Sequence, residues 1–361
     1  MRLFLEKINY KNFLTKVYNQ SQFVKKKHLI MNNKKIIVLM TSDVRICDAI
    51  KLNLLHLGYK VDLIINDTFK YKSLNDKITN FYKKIFLKDK SYKRELVRKY
   101  EVEKNLSFLN SIDYNIDYAL TIRPDKFDNK VLEKIKQISE YSVAYQWDGM
   151  NRFPEAKKTI PFFDRFFVFD KEDIINSDLS FTTNFYFDCF EQLMQTTPVY
   201  DVYFIGSYDN KIYDLINICE VLEKKGLKLN IFLATSKKRH LRKFKYIKFL
   251  KKSVTYIENL ELLAQSRIII DLAHKDIHNG LSFRIFESIG YEKKLITTNK
   301  MVKDFDFYNE DNIFLLDNNY DKLHDFINCK YHKIDEKIKQ KYSFSNWINF
   351  MLDIKPFVEI K

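Results

Sequence analysis

The chain has 361 residues, 46% of them hydrophobic and 30% charged, with a formal net charge of +15. That length suits two domains, and the charge density excludes a bundle of membrane helices. The basic surplus calls for an anionic partner: nucleic acid, an anionic membrane surface or a phosphorylated substrate.

Residues 1–33 are polar, basic and weakly amphipathic, and they read as a helical extension before the first core strand. The core opens with KKIIVLMTSD at 34–43, whose unbroken apolar run suits a buried parallel strand. A helix is expected over 44–57, stopped by Gly58, and a strand over 59–66, which together make a βαβ unit. Residues 68–112 are lysine-rich and helical in pattern. Strands follow at 117–122, 142–147 and 164–170, with a helix near 128–139.

A second series begins with a strand at 201–208, then a helix at 211–225 ended by Gly226. Strands are predicted at 229–235, 254–258, 267–274 and 293–299, with a helix after 258 and another opening near Ser282. The alternation predicts an α/β protein with two doubly wound Rossmann-like domains. Their expected bounds are 34–195 and 196–332. A helical tail at 333–361, carrying Trp347 and Phe350 on apolar positions, is expected to pack back on the first domain.

The four cysteines, Cys47, Cys189, Cys219 and Cys329, form no CxxC and no Cys/His cluster of zinc spacing. They read as buried free thiols, which fits a reducing cytoplasm. No apolar stretch approaches the ~20 residues of a membrane span. The N-terminus is interrupted by charges throughout and does not read as a signal peptide. Basic residues are spread along the chain and no nucleic-acid-binding motif stands out, so nucleic acid is not an expected partner.

In open α/β sheets ligands bind beyond the carboxyl ends of the strands. The polar residues there are Ser42, Asp43, Arg123, Asp148, Gly206, Ser207, Tyr208, Ser236, Lys237 and His274. The most informative run is 271–299. A strand ends at His274, a loop carries Gly280, Leu281 and Ser282, and a helix follows. The free N–H groups and positive end of that helix suit a diphosphate, which Arg284 can hold by bidentate hydrogen bonds. Glu287, three residues on, shares Arg284's face and can accept both hydroxyls of a ribose. The alternative is a core helix capped by Ser282 with a surface Arg284–Glu287 pair.

This segment resembles the donor-site motif of GT-B glycosyltransferases, especially bacterial enzymes of lipopolysaccharide, O-antigen and capsule synthesis. The matching residues are Asn279 to Ser282, Arg284, Glu287, Gly290 and the run 293–299. FIGSYD at 204–209 is similar to the opening of the same donor domain. QWDGMNRFP at 146–154 and FDRFFVFDKED at 163–173 are similar to an acceptor-domain block.

The resemblance implies a nucleotide-sugar donor (a UDP-sugar by default, a CMP-sugar as the variant) and a glycan or lipid-linked glycan acceptor. It implies catalysis without a metal or cofactor, Glu287 on the ribose, and peripheral contact with an anionic inner membrane. Many retaining members carry a second glutamate where this chain has Asn279, which leaves the stereochemistry open.

An inverting reaction needs a general base, for which Asp148 is the first candidate and Asp43 the second. Asp148 followed by Gly149 equally suits a turn. Arg284 and Lys237 are expected to stabilise the leaving phosphate, and His274 to contact donor or core. The Asp304–Asp306 triplet reads as a solvated loop. A non-catalytic nucleotide-binding module and a GT-B-like sugar-nucleotide epimerase are the competing readings.

Overall fold

The computed structural model describes residues 34–66, 69, 71, 73–89, 91–175, 179–208, 210–235, 240–273, 280–316 and 320–361. The expected N-terminal extension, and with it Ser236, Lys237, His274 and Asn279, lies outside the described residues.

Two six-stranded sheets carry the fold, and every strand pairing in them is parallel. In the first, β1 (Lys35–Thr41), β2 (Lys60–Asn66), β3 (Ile116–Ile122), β4 (Ser139–Gln146), β5 (Arg165–Val168) and β6 (Ser180–Phe181) lie in the order β2-β1-β3-β4-β5-β6. The second holds β7 (Tyr200–Ser207), β8 (Leu229–Ala234), β9 (Ile247–Leu250), β10 (Ser266–Asp271), β11 (Lys294–Thr297) and β12 (Ile313–Leu315). Its order is β12-β11-β10-β7-β8-β9. Counted within that sheet the order is 3-2-1-4-5-6, the doubly wound nucleotide-binding order. The architecture is thus two Rossmann-like α/β domains, as the alternation of strands and helices predicts, and it agrees with the GT-B fold that the resemblance implies.

Both sheets are buried on their two faces by helices, which is why their strands read as continuous apolar runs. Ile36 to Met40 of β1 are all at most 1% exposed. In the first domain helix α1 (Ile46–His56) follows β1, α2 (Leu74–Phe86) and α3 (Ser91–Asn110) follow β2, and α4 (Asn129–Ile138) follows β3. Gly58, at φ +89°, lets the chain leave α1 in the left-handed region that glycine enters without steric cost.

The second domain contributes α5 (Ile212–Lys224), α6 (Tyr256–Ala264), α7 (Phe283–Gly290) and α8 (Leu323–Asn328). One expected strand is a correction. Residues 256–264 are helical because Thr255 caps α6: its hydroxyl accepts from the Glu258 amide, and the Glu258 carboxylate accepts from the Thr255 amide at 2.7 Å. That capping box satisfies two amides at once and outweighs the β-branched Val254-Thr255 pair. β6, β9 and β12 were not expected; with two to four residues each they are too short to show a period.

The C-terminal helices α9 (Glu336–Lys341) and α10 (Phe344–Met351) close the molecule over both domains. Trp347, fully buried, stands edge-on to Tyr145 of β4 at 5.3 Å and tilts against Phe185 at 4.5 Å. Arg165 of β5 donates to the Phe350 carbonyl at 3.1 Å. On the side of the second domain the Tyr342 hydroxyl donates to Asp306 at 2.6 Å and Lys341 pairs with it at 3.0 Å. Asp306 is exposed in a turn, in line with the expected solvated loop, and its carboxylate anchors the tail.

Much of the aromatic content is spent here. Phe185, Tyr186, Phe187, Tyr256, Phe283, Tyr291, Phe344 and Trp347 interlock at the junction of the two domains. Rings that meet edge-to-face gain beyond their buried area.

Candidate functional site

Each sheet has a switch point, where the chain reverses its direction of growth and the strand ends splay to leave a crevice. In the first sheet this lies between β1 and β3, and in the second between β7 and β10. The two crevices face one another across a cavity of about 440 Å³. Asp43, Val44, Ile46 and Trp147 line it from the first domain. From the second come Ile205, Gly206, Ser207, Ala234, Leu250, Ser253, Val254, Tyr256, Asn259, Ser282, Phe283, Arg284 and Glu287.

Six of the sequence-predicted residues therefore meet in one place: Asp43, Gly206, Ser207, Ser282, Arg284 and Glu287. Gly280 and Leu281 are not in this group. A Cβ on Gly280 would fall 2.1 Å from the Phe169 ring of the first domain. The Leu281 carbonyl accepts from the Asn184 amide at 2.9 Å. Both positions hold the domains together beside the cavity. Tyr208 lies off the cavity too, with its hydroxyl 3.4 Å from His240 Nε2.

α7 is the centre of the site. Ser282 sits at its N-cap with extended backbone, but its hydroxyl caps no amide. It donates instead to the buried Asp271 at the end of β10, at 2.7 Å. The Ser282 side chain therefore leaves the first amides of α7 uncapped, and Phe283 and Arg284 of that turn line the cavity at the positive end of the helix. Arg284 is half-buried. Its guanidinium donates to the Ile205 carbonyl, lies 3.7 Å from Asp271 and stacks over the Phe204 ring at 5.4 Å. These contacts fix the fork at the mouth of the β7 loop.

Glu287 is 1% exposed. Its Oε1 accepts a 2.6 Å hydrogen bond from Tyr256, while Oε2 has no hydrogen-bond partner among the described residues. Burial raises its pKa above the ordinary carboxylate value, against the opposing pull of the Tyr256 hydroxyl and the Arg284 charge. The expected alternative of a surface Arg284–Glu287 pair is thereby excluded: the glutamate is inside, held by a tyrosine. A buried carboxylate with one oxygen left over is costly unless something hydrogen-bonds to it.

Asp148 and Asp43, the two candidate bases, are placed differently. Asp148 is clasped by Arg123 and lies 3.8 Å from Arg152. Arg123 is itself buried and bidentate to Asp125 at 2.7 Å on both branches. Desolvation pushes the Asp125 pKa up, but the hydrogen bonds and charge of Arg123 help to hold it below the ordinary carboxylate value. Asp148 is thus part of a structural ion network at the ends of β3 and β4, one residue from the cavity-lining Trp147. Asp43 lies in the cavity wall, accepting from the Thr41 hydroxyl. Its two successors, Val44 and Arg45, have φ of +39° and +56°. A β-branched residue with positive φ is a genuine outlier, of the kind that concentrates at functional loops.

Trp147, Tyr256 and Asn259 line the cavity without having been singled out in the sequence. Trp147 meets Phe283 edge-on at 6.1 Å across the domain boundary. The capping box at Thr255 was the readable signal for the helix that brings Tyr256 and Asn259 in.

No family model matches the chain, and no curated protein matches it in sequence. Solved structures do align with it. The UDP-GlcNAc 2-epimerase from Methanocaldococcus jannaschii does so at a TM-score of 0.45 and 13% identity, over 82% of this chain and 94% of that one. An α-glucosyltransferase in complex with UDP and a 13-mer DNA aligns at 0.46 and 11%, over 77% and 81%. MurG from Acinetobacter baumannii aligns at 0.37 and 11%, over 73% and 78%. At these TM-scores the likenesses assign no activity.

Proposed function

We propose that the cavity binds a nucleotide-sugar and that the chain is a glycosyltransferase acting on a surface-glycan acceptor. The observation that carries this reading is Oε2 of Glu287, without a hydrogen-bond partner among the described residues and buried beside the first turn of α7, which Ser282 leaves uncapped, and the Arg284 guanidinium. A ribose diol donates to such a carboxylate, and a diphosphate accepts from such a helix end. Ala234, Leu250 and Val254 supply an apolar wall for the base.

In the proposed reaction an acceptor hydroxyl attacks the anomeric carbon as the bond to the nucleotide phosphate breaks. Arg284, the α7 amides and the backbone at Gly206 and Ser207 take up the charge that develops on the leaving phosphate. Asp43 is the residue placed to receive the hydroxyl proton if the reaction inverts. Asp148 supports this side of the cleft through Arg123.

The test is a melting screen with UDP, CMP and GDP, followed by a transfer assay with the matching sugar nucleotide. Glu287→Ala should lose both the nucleotide-induced shift and transfer. Normal transfer by that variant overturns the reading. Turnover of the sugar nucleotide with no acceptor and no hydrolysis would assign an epimerase in its place.

A further inference from the structure

Helix α2 carries an apolar face that no described residue covers. Leu74, Ile78, Phe81, Tyr82, Ile85 and Phe86 are between 52% and 78% exposed. At 100° per residue they fall within an arc of roughly 140°. Exposed Lys77 and Lys84 lie roughly 40° and 60° beyond one edge of that arc, and exposed Lys88 follows the helix end. The opposite side is occupied: Asp76 accepts from the Tyr92 hydroxyl of α3 at 3.3 Å, and the Lys83 ammonium sits 4.5 Å from the Tyr92 ring. The apolar stripe therefore faces away from the described residues. A contiguous stripe of this kind marks an interaction surface.

Its place in the fold matters. Asn105 of α3 donates to Asn66 at the carboxyl end of β2 at 2.9 Å. The preceding residues 91–104, roughly 20 Å of helix at 1.5 Å per residue, project from that side of the sheet and carry α2 with them. That is the side on which Asp43 and the cleft lie. Beneath the overhang is a cavity of about 590 Å³ of mixed charge, where Arg98 pairs with Asp128, Lys126 with Asp125 and Lys158 with Glu155.

We propose that α2 is an in-plane anchor that lays its apolar stripe into the headgroup boundary of an anionic bilayer, with Lys77, Lys84 and Lys88 against the headgroups. Aromatic and aliphatic residues on one face with lysines at its border are the composition of interfacial helices. The chain's net charge of +15 acts in the same direction. A second copy of the chain is the poorer occupant. Lys77 and Lys84 flank the stripe along one edge and the helix's single acidic residue, Asp76, is on the far side, so a second copy of the helix brings no acid to meet them. No described helix is long and apolar enough to cross a membrane, so the anchor lies in the surface. This proposal does not rest on the nucleotide-sugar reading.

The experiment is flotation of the full chain with phosphatidylglycerol-containing vesicles and with pure phosphatidylcholine vesicles. The wild type should bind the anionic vesicles at least tenfold more tightly than the Phe81→Glu/Phe86→Glu variant. Lys77→Glu/Lys84→Glu should lose most of the preference for anionic lipid. In Phe81→Trp the added emission should shift to the blue on vesicles. Both glutamate positions are exposed, so the melting temperature and any nucleotide-induced shift should be retained, which separates loss of docking from loss of the cleft. Absence of wild-type binding, or equal binding by the Phe81/Phe86 variant, overturns the proposal. So does self-association in solution that this variant abolishes, because the occupant would then be a second copy.

Discussion

The Tyr256 hydroxyl donates a 2.6 Å hydrogen bond to Oε1 of Glu287, whose Oε2 has no partner among the described residues. Two helices far apart in sequence meet in that contact, and it ties the binding chemistry of the cleft to the stability of the fold.

The first prediction follows from its titration. Burial holds the Glu287 pKa above its unfolded value, so the folded state keeps the proton to higher pH than the unfolded chain. This group therefore favours folding at low pH, and the contribution falls as pH rises from the ordinary carboxylate value of about 4.3 through the raised one. Glu287→Gln removes the titration. Relative to the wild type, its melting temperature should rise as pH increases across that interval, while its affinity for nucleotide falls. A difference in melting temperature that does not change with pH would refute this account.

Asp43 and Asp148 should separate by phenotype. Asp43→Asn should remove turnover by an inverting enzyme and keep the nucleotide-induced melting shift. Asp148→Asn weakens a charged hydrogen bond to buried Arg123, which retains Asp125. Its cost should be about 1–3 kcal/mol in denaturant unfolding, with catalysis reduced only through positioning. The reverse assignment of effects would make Asp148 the base.

Gly290 should tolerate no side chain. A Cβ there would fall 2.0 Å from the Tyr186 ring, which packs edge-on to Tyr291 at 5.6 Å and cannot withdraw. Gly290→Ala should destabilise by about 1–3 kcal/mol or more, read as a lower midpoint in urea. Because α7 carries Glu287, nucleotide affinity should drop as well.

Legibility differed from element to element. The strands β1, β3, β7 and β10 were plain because a buried parallel strand is an unbroken apolar run, and the sequence writes that directly. Short β6, β9 and β12 carry no period. Thr255 was misread because β-branched residues favour strands, while the reciprocal bonds with Glu258 belong to a helix start. The stripe on α2 was hidden among lysines, since a helical pattern alone does not say which face is covered.

By itself, the sequence determined the alternation of strands and helices, the doubly wound class and the location of a polar, glycine-bearing turn ahead of α7. These are local properties: apolar periodicity, caps and strand ends act over a few residues. Only the tertiary structure decided which of those residues share a cavity. It brought Asp43 across the cleft to Arg284 and Glu287, and drew Gly280 and Leu281 into the domain contact. It also engaged Asp148 with Arg123, and it placed Tyr256 against Glu287. The first two depend on how the two sheets pack through an aromatic junction and the last two on neighbouring strands and helices within one domain, and contacts between residues twenty-five or more positions apart leave no trace in local pattern.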